Sequence, residues 1–256
     1  MTIQNKLIRI ICSMIVVLGI LSSCDPEYQM VKCPSYVVCY VDLESIELTV
    51  EPSNPQCILL NARNDFSKTC SLHSTGAEKE RYDQLCQKHK DVSYNQKRSI
   101  GGVLDIESVT YNDCDFTEIT VTADKDFDES HPAGTNLSDI VRFMTWSPYR
   151  YILSGYSKYY HYDRSDVSEA FDTLMRVYIA KEFFDKDTEA TCYPIDKVIK
   201  ELTADDLILI GGDDALALLG MCYFDYKPKT EGEFIITITI KTDSNKILSD
   251  SVKLAF

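Results

Sequence analysis

Histidine is scarce in this chain of 256 residues, and its four copies, His73, His89, His131 and His161, stand far apart. No two cysteines are spaced Cys-x-x-Cys. Zinc centres draw on such clusters, so the sequence names no metal ligands, and it names no cofactor site. It also lacks a Gly-x-Ser-x-Gly elbow and a His-Glu-x-x-His helix. Eight cysteines and four histidines, or paired members of 40 acidic residues, can be matched on paper in too many ways to single out a catalytic residue. Two partial motifs fail on inspection. Gly211-Gly212-Asp213-Asp214 follows an apolar run but has neither the spaced glycines nor the Lys-Ser/Thr of a phosphate loop, and its aspartates repel phosphate. Asp124, Asp126 and Asp128 alternate as in a calcium loop. An EF-hand then needs Gly at its sixth position and Glu at its twelfth, where Glu129 and Thr135 stand. Both stretches read as turns.

Basic residues are also in short supply, 26 against 40 acidic. Such a chain repels phosphate backbones, which argues against a nucleic-acid partner. No apolar run reaches the roughly 20 residues of a membrane span; the longest, over 10–21, is about a dozen.

That run belongs to the amino terminus. Lys6 and Arg9 precede it, and Leu21-Ser22-Ser23-Cys24 follows. A charged start, a short apolar stretch and small residues before a cleavage point make a secretory signal. The last four residues resemble the lipobox of bacterial lipoproteins, which implies cleavage before Cys24 and acylation of that residue, palmitate being a typical acyl group. Residues 1–23 are then a signal peptide, 24–34 a tether, and 35–256 a single globular domain. The mature chain holds 24 basic and 40 acidic residues, a net charge of −16. Anionic headgroups repel that average charge, so the lipid is expected to hold the protein at the membrane.

Of the ten cysteines, Cys12 lies in the signal and Cys24 takes the lipid. The other eight (Cys33, Cys39, Cys57, Cys70, Cys86, Cys114, Cys192 and Cys222) permit disulfides in an exported protein, in any of 105 full pairings. Alternatively some are small core residues, and Cys39, within Val37-Val38-Cys39-Tyr40-Val41, is the natural example.

Alternation predicts strands over 45–51, 57–60, 103–111, 116–123 and 234–241, the last returning over 246–255 through Thr242-Asp243-Ser244-Asn245. A helix is expected over 77–89. After Asp166 and Glu169, the apolar residues Val167, Ala170, Phe171, Leu174, Val177 and Tyr178 recur at helical spacing. Pro194 followed by Ile195, Val198, Ile199 and Leu202 suggests another helix. The sum is a mainly β chain with a helical insertion (α+β). It is an antiparallel β-sandwich, the immunoglobulin-like arrangement being one form of it, with a largely helical lobe at about 137–222.

The stretch 146–162 contains the sole tryptophan and six tyrosines. Amphipathic rings suit sugar stacking and protein interfaces. Trp146, Tyr149, Tyr151 and Tyr156 therefore form a candidate recognition surface for a glycan or an envelope protein. Their alternative use is to pack the helical lobe onto the sheet.

Together, Leu21-Ser22-Ser23-Cys24 and the 13 residues from Phe127-Asp128-Glu129 through His131-Pro132 to Ser138-Asp139 resemble an uncharacterised family of Bacteroides lipoproteins, a domain of unknown function. The resemblance implies an organism group and a place at the outer membrane, on its periplasmic face or at the cell surface. Asp25 and Glu27, just after the lipid cysteine, resemble a surface-export signal of that group; in enterobacteria Asp25 would argue for inner-membrane retention. The function expected is that of a non-enzymatic, lipid-anchored binding or structural protein, against the rival of a surface hydrolase acting on glycans.

Overall fold

The computed structural model describes residues 28–99, 109–157, 159–160, 167–178, 189–211 and 217–256. It is mainly β, with several antiparallel sheets and no closed barrel. The chain divides into two compact units, one containing residues 95–106 together with the amino terminus to Cys33, the other the remainder.

The first unit holds a two-stranded ribbon of β1 (Tyr28–Cys33) and β4 (Tyr94–Ser99), whose first residue belongs to the second unit. β1 falls within the expected tether, 24–34. Tyr28 and Val31 favour extended backbone.

The second unit is built on a six-stranded sheet. Its strands are β2 (Cys39–Val50), β3 (Cys57–Ser71), β5 (Thr110–Asn112), β7 (Val141–Ser147), β10 (Tyr193–Val198) and β11 (Leu218–Phe224). Their order is β10-β7-β11-β3-β2-β5. All pairs are antiparallel except β2 with β5, which run parallel. A three-stranded sheet, β13-β12-β6, contains β6 (Phe116–Ala123), β12 (Glu233–Thr242) and β13 (Ile247–Ala255). A minor pair joins β8 (Tyr159–Tyr160) to β9 (Glu189–Ala190).

One apolar layer serves both main sheets. Ile46, Leu48, Ile58, Leu60, Phe143 and Phe224 come from the larger, and Ile119, Val121, Ile236, Ile238 and Ile240 from the smaller. The period-2 alternation of β12 explains its side. Phe234, Ile236, Ile238 and Ile240 are buried, while Thr237, Thr239 and Lys241 face outward.

The larger sheet is buried on its second face as well. Cys57, Leu59, Met144, Trp146 and Met221 pack there with Phe171 and Leu174 of α3 (Glu169–Tyr178). A strand buried on both faces reads as a continuous apolar run, and 57–60 does so. A third cluster gathers tyrosines: Tyr36, Tyr40, Tyr82, Tyr111 and Tyr151, with Leu85 of α1 (Ala77–Lys88) and Ile152 of α2 (Tyr149–Leu153).

The stretch 137–222 is not largely helical among the described residues: it supplies β7, β10 and β11. The helix expected after Asp166 forms as α3. The one expected after Pro194 is instead β10, antiparallel to β7, followed by a 3-10 turn at Ile199–Glu201. Ile195 and Ile199 are both buried. A spacing of four residues satisfies the strand period as well as the helical one, and pairing with β7 decided between them. Most of the expected strand 103–111 lies outside the described residues, its end forming β5.

Candidate functional site

Two histidines sit among carboxylates, one near the surface and one deep inside. The outer site is the loop that leaves β6. Phe127 and Leu137 pin its two ends in the core, each 1% exposed. Between them Asp128 accepts hydrogen bonds from the backbone N–H groups of Ser130, at 2.7 Å, and His131, at 3.0 Å. These fold the chain so that the His131 ring returns over Asp128. Its Nδ1 lies 2.9 Å from Asp128 Oδ1, and its Nε2 lies 3.0 Å from Asp139 Oδ1. Tyr226, which follows β11, donates to the other oxygen of Asp128 at 2.8 Å.

Ionised carboxylates only accept, so a ring that serves one at each nitrogen does so as an imidazolium with two N–H donors. The hydrogen bond to His131 is the main reason that Asp128 is held down at about 2. Burial would lower the pKa of His131, but its bonds to Asp128 and Asp139 outweigh that and raise it above 6.5. Tyr226 is pushed up to about 12 by burial and by Asp128. A group so arranged clamps a loop; both ring nitrogens are already committed.

The inner site lies where α1 ends. His89, 1% exposed, has Nε2 2.9 Å from Asp115 Oδ2 and Nδ1 3.1 Å from the Tyr40 hydroxyl. Lys88 pairs with Asp115 at 2.5 Å and also with Asp243 in the β12–β13 turn. Burial works against ionisation of Asp115, yet His89 and Lys88 prevail and lower its pKa. Two residues on, Asp91 is fully buried. It accepts hydrogen bonds from the N–H groups of Tyr36, at 2.7 Å, and Val37, at 2.8 Å, and from the Tyr156 hydroxyl at 2.9 Å. Burial nonetheless pushes the Asp91 carboxyl up.

Three non-glycine residues with left-handed backbone surround these carboxylates: Lys90 (φ 59°), Tyr156 (φ 62°) and Leu209 (φ 49°). Lys90 separates His89 from Asp91, Tyr156 binds Asp91, and the Leu209 N–H donates to Asp115 at 3.2 Å. Such conformations persist where surrounding bonds overdetermine them.

The expected recognition surface is corrected by burial. Trp146, Tyr149 and Tyr151 are 3%, 8% and 3% exposed. Trp146 packs on Phe171 beneath α3, with ring centres 5.3 Å apart, and Tyr151 packs edge-on to Tyr36 and Tyr156. Their apolar area holds helices onto the sheet, the alternative use open to them. Only Tyr156 remains half-buried, its hydroxyl tied to Asp91.

Cys39, expected in the core, is half-buried, while Val37, Tyr40 and Val41 around it are fully buried. Cys57 and Cys222 lie on adjacent strands, yet Cys222 pairs with Ile58, and Cys57 with Tyr223. The pleat therefore sends the two thiols to opposite faces, and both are free. Burial pushes Cys86 up to about 11 and Cys114 and Cys222 up to about 12, so they remain thiols rather than reactive thiolates.

The inner cluster had no periodic signal in the sequence. For the outer one, Asp128-x-x-His131 is the short-range trace. No family model, curated protein or solved structure matches the chain.

Proposed function

We propose that this protein is a lipid-anchored, non-enzymatic binding or structural protein of the bacterial cell envelope, attached through Cys24. The anchor reading is supported by Lys6, Arg9, the apolar stretch 10–21 and Leu21-Ser22-Ser23-Cys24. The resemblance to Bacteroides lipoproteins supports the outer membrane as its place. The fold proposed for the main body is an immunoglobulin-like β-sandwich, antiparallel apart from the β2–β5 pair.

One observation carries the non-enzymatic part. The histidines of both carboxylate clusters are only 1% and 8% exposed and are held by protein partners at both ring nitrogens, so these acid–base groups are shielded from a substrate and serve as internal braces. The rival, a surface glycan hydrolase, would need the aromatic stretch exposed for sugar stacking, and Trp146, Tyr149 and Tyr151 are buried.

Two measurements test this. Cys24→Ser should abolish labelling by radioactive palmitate and release the protein from the membrane fraction; persistent membrane association would overturn the anchor. Glycan-array binding and hydrolysis assays on the chain beginning at Asp25 address the rival. Cleavage of any glycan would overturn the non-enzymatic reading.

A further inference from the structure

Phe66 and Ile247 are large apolar side chains left in solvent, 63% and 66% exposed. The first is lifted out of its strand. β3 pairs Asp65 with Asp42 and Thr69 with Val41, so residues 66–68 are extra positions with no counterpart on β2. A bulge of this kind re-aims side chains. Ser67 fixes it by donating to Asp65 Oδ1, from its backbone N–H at 3.0 Å and from its hydroxyl at 2.6 Å. Ile247 opens β13.

A row of charges joins the two. Lys246 Nζ lies 3.6 Å from Asp42 Oδ1, and the other oxygen of Asp42 lies 3.5 Å from Lys68 Nζ. Lys68 Nζ in turn lies 2.8 Å from Asp65 Oδ2. The connections therefore run Ile247, Lys246, Asp42, Lys68, Asp65, Phe66, with charges that alternate and sum to zero. Such an order is its own complement when reversed. Two copies related by a two-fold axis through its middle set Ile247 against Phe66, Lys246 against Asp65 and Asp42 against Lys68, each contact occurring twice. A mature chain of −16 repels its like, and a neutral row lifts that penalty where the copies touch. We infer that this row is the contact face of a homodimer, in which Phe66 of each copy packs against Ile247 of the other. The inference goes beyond the reading above and does not depend on acylation of Cys24.

The full-length protein in excess detergent tests this. Sedimentation equilibrium should show a concentration-dependent dimer, and Phe66→Ala or Ile247→Ala should each weaken it about tenfold, the scale of a lost anchor contact. Both side chains are exposed, so an unmoved thermal midpoint serves as the control for folding. Cross-linking then checks the pairing. Co-expressed Phe66→Cys and Ile247→Cys chains, treated with copper phenanthroline, should form a disulfide-linked dimer, the reagent accepting the electrons and solvent the protons of the two thiols. Each variant alone should give no more dimer than the unaltered chain, because the axis keeps like positions apart. Lys68→Glu in both chains brings acids together across the axis and should suppress the cross-link severalfold. A monomer at every concentration of the unaltered protein overturns the inference. So does a cross-link that a single variant forms as well as the pair, or one that Lys68→Glu leaves unchanged.

Discussion

Asp250, midway along β13, accepts a hydrogen bond at 2.9 Å from the backbone N–H of Leu48 on β2, 202 residues earlier. β5 pairs with β2 only over Cys39–Val41, so among the described residues the rest of that edge has no neighbouring strand. A side chain from the smaller sheet stands in for one, and Lys246 does the same for the carbonyl of Leu43. Inward-pointing charges of this kind also blunt an edge against foreign strands. Asp250→Ala should lower stability by about 1–2 kcal/mol, the cost of a partly buried donor left without its acceptor. Urea unfolding measures it, and a loss indistinguishable from zero would mean that water replaces the carboxylate.

His131 should give the protein a pH dependence on the alkaline side. Its pKa in the folded state is raised above 6.5. Its contribution is therefore complete below 6.5 and disappears as pH rises through the raised value. The thermal midpoint of the native protein should fall over this range, and His131→Gln should flatten that fall. Asp128, held at about 2, acts in the opposite sense: its contribution is present above 3.8 and is lost as pH falls towards 2.

Asp91→Asn tests the inner carboxylate. Three donors converge on Asp91, and an amide offers one accepting oxygen where the carboxylate offers two. The backbone N–H of Tyr36 or Val37 then loses its partner in a buried place, at about 2–3 kcal/mol. Denaturant titration should show this loss with an unchanged slope. Equal stability of the variant would show that the buried carboxyl already carries a proton.

Gly220 lies against β7. A Cβ there would meet two ring carbons of Phe143 at 2.8 Å and the carbonyl oxygen of Met144 at 2.9 Å. The backbone oxygen cannot swing aside, so Gly220→Ala should destabilise by about 1–3 kcal/mol through overpacking. Phe143→Leu should recover part of the loss in the double variant, and strict additivity would disprove contact between the two positions.

Legibility in the sequence followed the range of the interaction. The strands at 45–51, 116–123 and 234–241 were visible because their apolar alternation is local, and the helix at 77–89 because its charged stretch is continuous along the chain. Pro194–Leu202 misled because a four-residue spacing fits two periods. The aromatic stretch misled because composition cannot say which side of a ring meets protein. The outer histidine clamp left only Asp128-x-x-His131 as a trace, and the inner one left none, since Tyr40, His89 and Asp115 come from three separate elements.

The sequence by itself determined the charged and apolar order of the amino terminus, the candidate anchor at Cys24, the acidity of the body, and which faces of its clearest strands are apolar. Each follows from neighbours along the chain. Tertiary structure alone decided that β7, β10 and β11 join one sheet, that Trp146, Tyr149 and Tyr151 are core, and that both carboxylate-bound histidines are braced on two sides. Those outcomes depend on hydrogen bonds and burial between residues brought together only when the chain has folded, and no local period encodes them.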